Sequence, residues 1–363
     1  VLNHRLTGDS DLLLGASANA QGTVTLSNAN NDFSGDVIFN SRHIVLASED
    51  GALGSARVHL DYGNRMQPAS TAALENVEAD SAGMLLVDRI GSAQLDLTQH
   101  QALSLAAGAD TSFRGSIALA EGAGYQFGAA SGATLTIQAA LDSSRALNVD
   151  AQGYEGGAVV LAGNGTWQGD ITVRGSKEEA GGGNISLVAG QDMQLSGAVN
   201  LHEGGSFDLA GHTVTLSASQ QDHGGGFINS GDEGALVFDT QAQALQSAAS
   251  VQVANVRKVG SHNLSLGGNN SFTNLYVEGG TLTLSSNTAT SSGSTVHLAE
   301  GTQINTANHA LNSNVLLQEV VTAGFTAGGN HVISGSVYGG SGSTLVVDGG
   351  KLRMQTPNSL GFD

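Results

Sequence analysis

Carboxylates and imidazoles are the groups in this chain with the reach to do chemistry. Glycosidic cleavage needs two carboxylates roughly 5–10 Å apart. The adjacent acids Glu49-Asp50, Glu178-Glu179 and Asp232-Glu233 are the local candidates. All three lie in turn-like stretches or insertions, where a solvated turn is the plainer reading. The 11 histidines are scattered, and none shows the i, i+4 pairing of a zinc-binding helix. His59 and His297 each stand between two apolar residues of an alternating segment, so both are expected to point outward as exposed strand positions. Gly163-Asn164-Gly165 with Gly169, and Gly122-Ala123-Gly124 with Gly128, have the wrong spacing for a dinucleotide fingerprint and read as β-turns. No phosphate loop and no cysteine is present. The expectation is no catalytic residue, no metal site and no cofactor, hence no enzyme.

Charge directs the search toward binding instead. The formal net charge is −19, which argues against nucleic acid and against anionic membrane surfaces. Lysine occurs only as Lys177, Lys258 and Lys351. Arg42, Arg57, Arg65 and Arg89 gather in the first quarter, and Arg257-Lys258 form a late basic pair. Together with Lys177, Glu178 and Glu179, the four early arginines are the candidate binding residues. A basic patch on an acidic flank would let copies of the chain meet. Tyr62, Tyr154 and Tyr338 are candidates for an exposed aromatic that stacks on sugar, whereas Phe33 and Trp167 read as core.

The elements that must carry these residues are short strands. Glycine numbers 52 and proline only two, Pro68 and Pro357. Glycine is thus about twice its usual share of ~7%. That suits tight turns between strands and penalises helices. Segments of apolar-polar alternation recur along the chain. They include Thr23 to Leu26, Val37 to Phe39, Ile44 to Leu46, Val58 to Leu60, Leu135 to Ile137, Val214 to Leu216, Leu264 to Leu266 and Leu345 to Val347. They are too many and too evenly spread for one sandwich. A solenoid, in which each coil buries its inner face against the next, accommodates them.

A decaying repeat supports this. Residues 22–60 and 262–298 align by hand: an apolar pair, an Asn-rich turn, an aromatic (Phe33, Phe272), two strands, and a closing Val-His-Leu after Gly-Ser. Residues 157–187 and 343–361 are looser copies. The expected fold is all-β, a right-handed parallel β-helix forming one domain over residues 1–363. Coils of roughly 20–25 residues stacked at about 4.8 Å give on the order of fifteen coils and a rod roughly 70 Å long. Aliphatic residues fill the inside, and Asn and Gly take the corners where left-handed conformations are needed. Four segments break the rhythm and are expected as insertions: 62–83, 176–183, 219–234 and 240–250. In the last, Thr240 and Gln243 have capping-box spacing, which suggests a helical turn or two.

The stretches GTVTLSNANNDFSGDVIF, ALGSARVHL and, at 279–284, GGTLTL resemble the passenger-associated repeat of autotransporters, the type V secretion family. Within that family the chain is most similar to diffuse-adherence and self-aggregating adhesins. The resemblance covers about half the chain. It implies a β-helix displayed on the surface of a Gram-negative bacterium or released from it, with membrane attachment only through a C-terminal barrel not contained in these residues. The protease branch of the family carries its serine in a Gly-Asp-Ser-Gly context. Here only Gly8-Asp9-Ser10-Asp11 appears, without a preceding domain to supply His and Asp. The chain opens in the strand pattern, at Val1-Leu2-Asn3-His4, which reads as a piece of something longer. The expected function is therefore an adhesin stalk. It would mediate self-association, or attachment to host extracellular matrix protein or glycan, through polar contacts along the solenoid. A polysaccharide-cleaving β-helix is the alternative, and an inert spacer for a missing functional domain is a third reading.

Overall fold

A computed structural model of the chain describes residues 1–15, 22–40, 43–130, 132–154, 156–175, 183–318, 321–326, 330–348, 351–355 and 360–362. Its parallel strands stack as a β-solenoid of about 14 turns, with about 2% helix. The fold is all-β, as the alternation and the glycine content predict. Two compact units are distinguished, one of residues 1–164 with 171–187, the other of 165–170 with 188–363.

In the first unit one sheet runs coil by coil through Gly22–Leu26, His43–Ala47, Arg65–Gln67, Met84–Leu86, Ser104–Ala107, Tyr125–Ala129, Leu147–Asp150 and Ile171–Arg174. Ile44 pairs with Arg65, and Arg65 with Met84. The coils are therefore 21 and 19 residues long here. A second sheet stacks Thr111–Phe113, Thr134–Ile137 and Gly157–Leu161. A third strip begins with Leu12–Leu14 on Val37–Phe39 and continues through single bridges from Val37 to Val58 and from Val58 to Val77.

In the second unit the main sheet runs from Thr166–Trp167 through Met193–Leu195, Thr213–Leu216, Ala235–Asp239, Asn255–Val259, Asn274–Val277, Thr295–Leu298, Asn314–Leu317 and Val337–Gly339 to Leu360–Phe362. Register places Leu236, Val256, Leu275, Val296, Val315 and Val337 in one inward column, all buried. Each such side chain taken out of water contributes roughly 1.5–3 kcal/mol, so the column holds successive coils together. The parallel column reads Phe238, Lys258, Val277, Leu298 and Leu317. Lys258 thus lies inside the solenoid, fully buried. Its Nζ donates to Thr240 Oγ1 at 2.8 Å, Gly260 O at 2.6 Å and Gly279 O at 2.5 Å.

Several local expectations need correction. Segment 62–83 does not stand clear as a loop. It carries the strand Arg65–Gln67 and a 3₁₀ helix, Thr71–Asn76, that Ser70 caps by accepting from Ala72 N and that buries Leu74. Segments 219–234 and 240–250 likewise hold strands of the coils: Asp222–His223, Gly226–Ile228 and Leu245–Ser247. Thr240 starts no helix, because its hydroxyl donates across the coils to Val259 O at 2.7 Å. Segment 176–183 lies outside the described residues except for Gly183. Three asparagines act through their side chains rather than through a left-handed backbone. Asn31, Asn164 and Asn270 bridge to backbone groups of neighbouring coils through their side-chain amides. Among the described non-glycine residues Gln152, Ala210, Ala307 and Asn308 take the left-handed backbone, Asn308 as expected of a corner asparagine.

Residues 150–154 form a strap across the outer face of the first unit's main sheet. Gln152 and Gly153 both take positive φ, 46° and 82°. Gln152 Oε1 accepts from Gly63 N at 3.1 Å, and its Nε2 donates to Ala82 O at 2.9 Å and Ser104 Oγ at 3.1 Å. Tyr154 is buried against Met84, Leu86 and Ala106, with Ile44 beside them. Its hydroxyl donates to Gly63 O. This corrects the expectation of an exposed, sugar-stacking Tyr154. Covering the outside explains why Met84–Leu86 and Ser104–Ala107 are buried at every position rather than at alternate ones. A Cβ on Gly128 would come within 2.9 Å of both Met84 Cε and Asp150 O, so glycine is needed beneath the strap.

Candidate functional site

The bridges Val37 to Val58 to Val77 set the register of the third strip. These valines are buried, so their neighbours one residue away point outward. Stepping along the register gives Asp36 beside Arg57, then Ile38, His59 and Glu78 in one row, then Asp61 and Asp80 in the next. The sequence fixes this placement by hydrogen bonds. Val58 N donates to Asn76 O at 2.7 Å and Glu78 N to Val58 O at 2.9 Å. The Asn76 side chain reaches Ala56 O at 2.7 Å, and the buried Ser81 hydroxyl accepts from Leu60 N at 3.1 Å. The segment bearing Glu78 and Asp80, which follows the 3₁₀ helix and the single bridge at Val77, is therefore pinned at both ends.

The result is a cluster of charge on one flank. Arg57 forms a two-pronged pair with Asp36, at 3.0 Å on both bonds, and approaches Glu78 Oε1 at 3.3 Å. His59 Nε2 lies 3.2 Å from Asp61 Oδ1. Its Nδ1 lies 3.2 Å from Glu78 Oε2 and 3.2 Å from Asp80 Oδ1. Burial alone would lower the His59 pKa, but the surrounding charges of Asp61, Asp80 and Glu78 outweigh it and the pKa is raised. A groove of about 110 Å³ runs past Ile38, Arg57 and His59. His59 points outward as expected. Sequence reading missed that carboxylates from the next coil surround it. The signal was an offset: His59 to Glu78 is 19 residues, the same step that joins Arg65 to Met84.

The candidate binding residues are not gathered into one basic patch. Arg57 is engaged with acids of its own flank. Arg65 lies on a different sheet, its guanidinium carbon 3.9 Å from the centre of the Tyr154 ring and its pKa lowered by burial. Arg89 is exposed and donates to Ser48 O at 3.2 Å. Arg42, Lys177, Glu178 and Glu179 lie outside the described residues. The late basic pair is split by strand alternation. Arg257 points out and pairs with Glu278 through two bonds of 2.8 and 2.9 Å, while Lys258 points in. Tyr62 and Tyr338 remain about half exposed, and Phe33 and Trp167 are buried.

His297 occupies the equivalent repeat position in the second unit. Its row reads Arg257, Tyr276, His297, Leu316 and Tyr338. The Tyr276 ring stacks on it at 4.4 Å, and Nε2 meets Asn274 Oδ1 at 3.0 Å. Burial here lowers the His297 pKa.

The chemistry open to the first flank is ion pairing, proton holding and cation coordination. Compared with family models, curated proteins and solved structures, the chain gives no match.

Proposed function

We propose that this chain is the presenting stalk of a bacterial surface adhesin, similar to autotransporter passengers. In this reading its outward rows make multivalent contacts with further copies of the chain or with host protein or glycan. The observation that supports the reading is the row structure itself. Outward side chains line up from coil to coil into polar and charged ladders, Asp36–Arg57–Glu78 in one unit and Arg257–Glu278 in the other. Contacts worth roughly 0–1 kcal/mol each sum when they repeat along a surface. Because Arg57 and Arg257 are already paired within their own flanks, acidic groups are what the partner meets. A partner surface carrying cations, or a neutral glycan, complements them better than a second acidic flank does.

No specific observation favours polysaccharide cleavage. Glu78 and Asp80 share one histidine, with ligand atoms within 4.8 Å of one another. That is tighter than the roughly 5–9.5 Å that separates glycosidase carboxylates. The test is display of the chain on cells or beads. Clumping or attachment that weakens with salt, and that falls when Asp36, Asp61 and Asp80 are changed to Lys with the β spectrum intact, agrees with the proposal. Depolymerisation of a polysaccharide that vanishes on replacing one carboxylate contradicts it.

A further inference from the structure

His59 poses a problem of proton bookkeeping. Asp61 Oδ1 accepts from Nε2, which places the ring proton on that nitrogen. Nδ1 is then left without a proton beside two carboxylate oxygens, Glu78 Oε2 and Asp80 Oδ1, each 3.2 Å away. Three acceptors facing one another repel unless something positive stands between them. A proton on Nδ1 is one answer. Yet Nδ1 is buried and makes no hydrogen bond, so the carboxylates are not placed where a ring N–H would point. Glu78 presents Oε2 here because its other oxygen is engaged by Arg57.

We propose that His59, Glu78 and Asp80 bind a divalent cation of the zinc class. Zn–N and Zn–O bonds of roughly 2.0–2.2 Å in a tetrahedron set ligand atoms roughly 3.3–3.6 Å apart. The two 3.2 Å separations at Nδ1 fall just inside that edge, and all three ligand atoms lie within 4.8 Å of one another. Asp61 supplies the carboxylate that metal-bound imidazoles recurrently use to hold their other nitrogen. One neutral nitrogen and two carboxylate oxygens suit zinc better than calcium, which takes six to eight oxygens. Three protein ligands on an exposed flank leave a fourth position for water or for a donor from another molecule. The site assignment does not depend on the adhesive reading.

The test is calorimetric titration of the whole chain with zinc ion, after treatment with a chelator, alongside calcium and magnesium. The expected result is one zinc ion per chain and a cobalt(II) absorption spectrum of four-coordinate type. His59→Gln and Asp80→Asn should abolish both. Asp61→Asn should weaken zinc by about 10–100-fold without removing a ligand. Asp80 is 80% exposed, so its replacement leaves the coils intact. Should His59→Gln fail to fold, Asp80→Asn and the nitrogen-15 shift of His59 Nδ1 on adding zinc carry the decision. Zinc uptake unchanged in Asp80→Asn, an unmoved His59 signal, or calcium binding in place of zinc would each overturn the proposal.

Discussion

His59 and His297 stand at the same place in the same repeat, each in a Val-His-Leu sequence, and behave in opposite ways. In the first unit the neighbouring coil supplies Glu78 and Asp80, and the imidazole is held toward its charged form. In the second the neighbouring coil supplies Tyr276, and burial holds the imidazole toward its neutral form. The strand motif decides that the side chain points outward. The residues one coil away decide its chemistry. On a solenoid, flank function is written at the coil period rather than within the motif.

The largest expected difference between the two units concerns what covers the outer face of each main sheet. Tyr154→Ala removes a buried ring and its bond to Gly63, and should cost about 3–5 kcal/mol. Hydrogen exchange should speed most at Met84–Leu86 and Ser104–Ala107. Tyr276→Ala removes a half-buried stack in the other unit and should cost about 0.5–1.5 kcal/mol. Equal losses would show that the strap does not matter.

Lys258 gives the next effect. Lys258→Met leaves Thr240, Gly260 and Gly279 without their donor and should cost about 1–3 kcal/mol by denaturant titration. Burial lowers the Lys258 pKa from 10.5 to about 8, against the raising influence of Asp239. Between those values the unfolded chain holds a proton that the folded chain has released, so stability should rise as pH goes from about 8 to 10.5. The rise should be absent in Lys258→Met, and a fall over that range would contradict the assignment.

Smaller still are the two histidines, with opposite signs. The raised His59 pKa gives stability that is fully present below pH 6.5 and is lost as pH rises through the folded value. The lowered His297 pKa gives a penalty that grows as pH falls from 6.5 through its folded value. His59→Gln should therefore lose stability mainly at low pH, and His297→Gln should gain it there. Thermal unfolding from pH 5 to 8 separates them, each effect staying under about 1 kcal/mol because solvent screens both rings.

Alternation alone located most of the coils. Thr23 to Leu26, Leu135 to Ile137 and Leu264 to Leu266 fall within observed strands. Their inner residues are buried because period two on a closed coil leaves no other place for them. What stayed hidden depends on distance along the chain. The strap residues Gln152 and Tyr154 make their contacts 89 and 91 residues away, at Gly63. The continuous apolar run Met84-Leu85-Leu86-Val87 was the clue that something covers that sheet on both sides. Segments 62–83 and 240–250 looked like insertions because a 3₁₀ turn and a hydroxyl bridge replace strand alternation there, while the coil length is kept. The flank cluster at His59 was legible only to a reader who added 19 to an outward histidine and looked for acids.

The claim that neighbouring coils, and not the motif, set flank chemistry is tested most directly by titrating nitrogen-15-labelled histidines by nuclear magnetic resonance in the presence of chelator. His59 should titrate above 6.5 and His297 below it, and Tyr276→Glu should move His297 upward while leaving His59 in place. Coincident titration of the two rings, or the reverse order, would contradict the account.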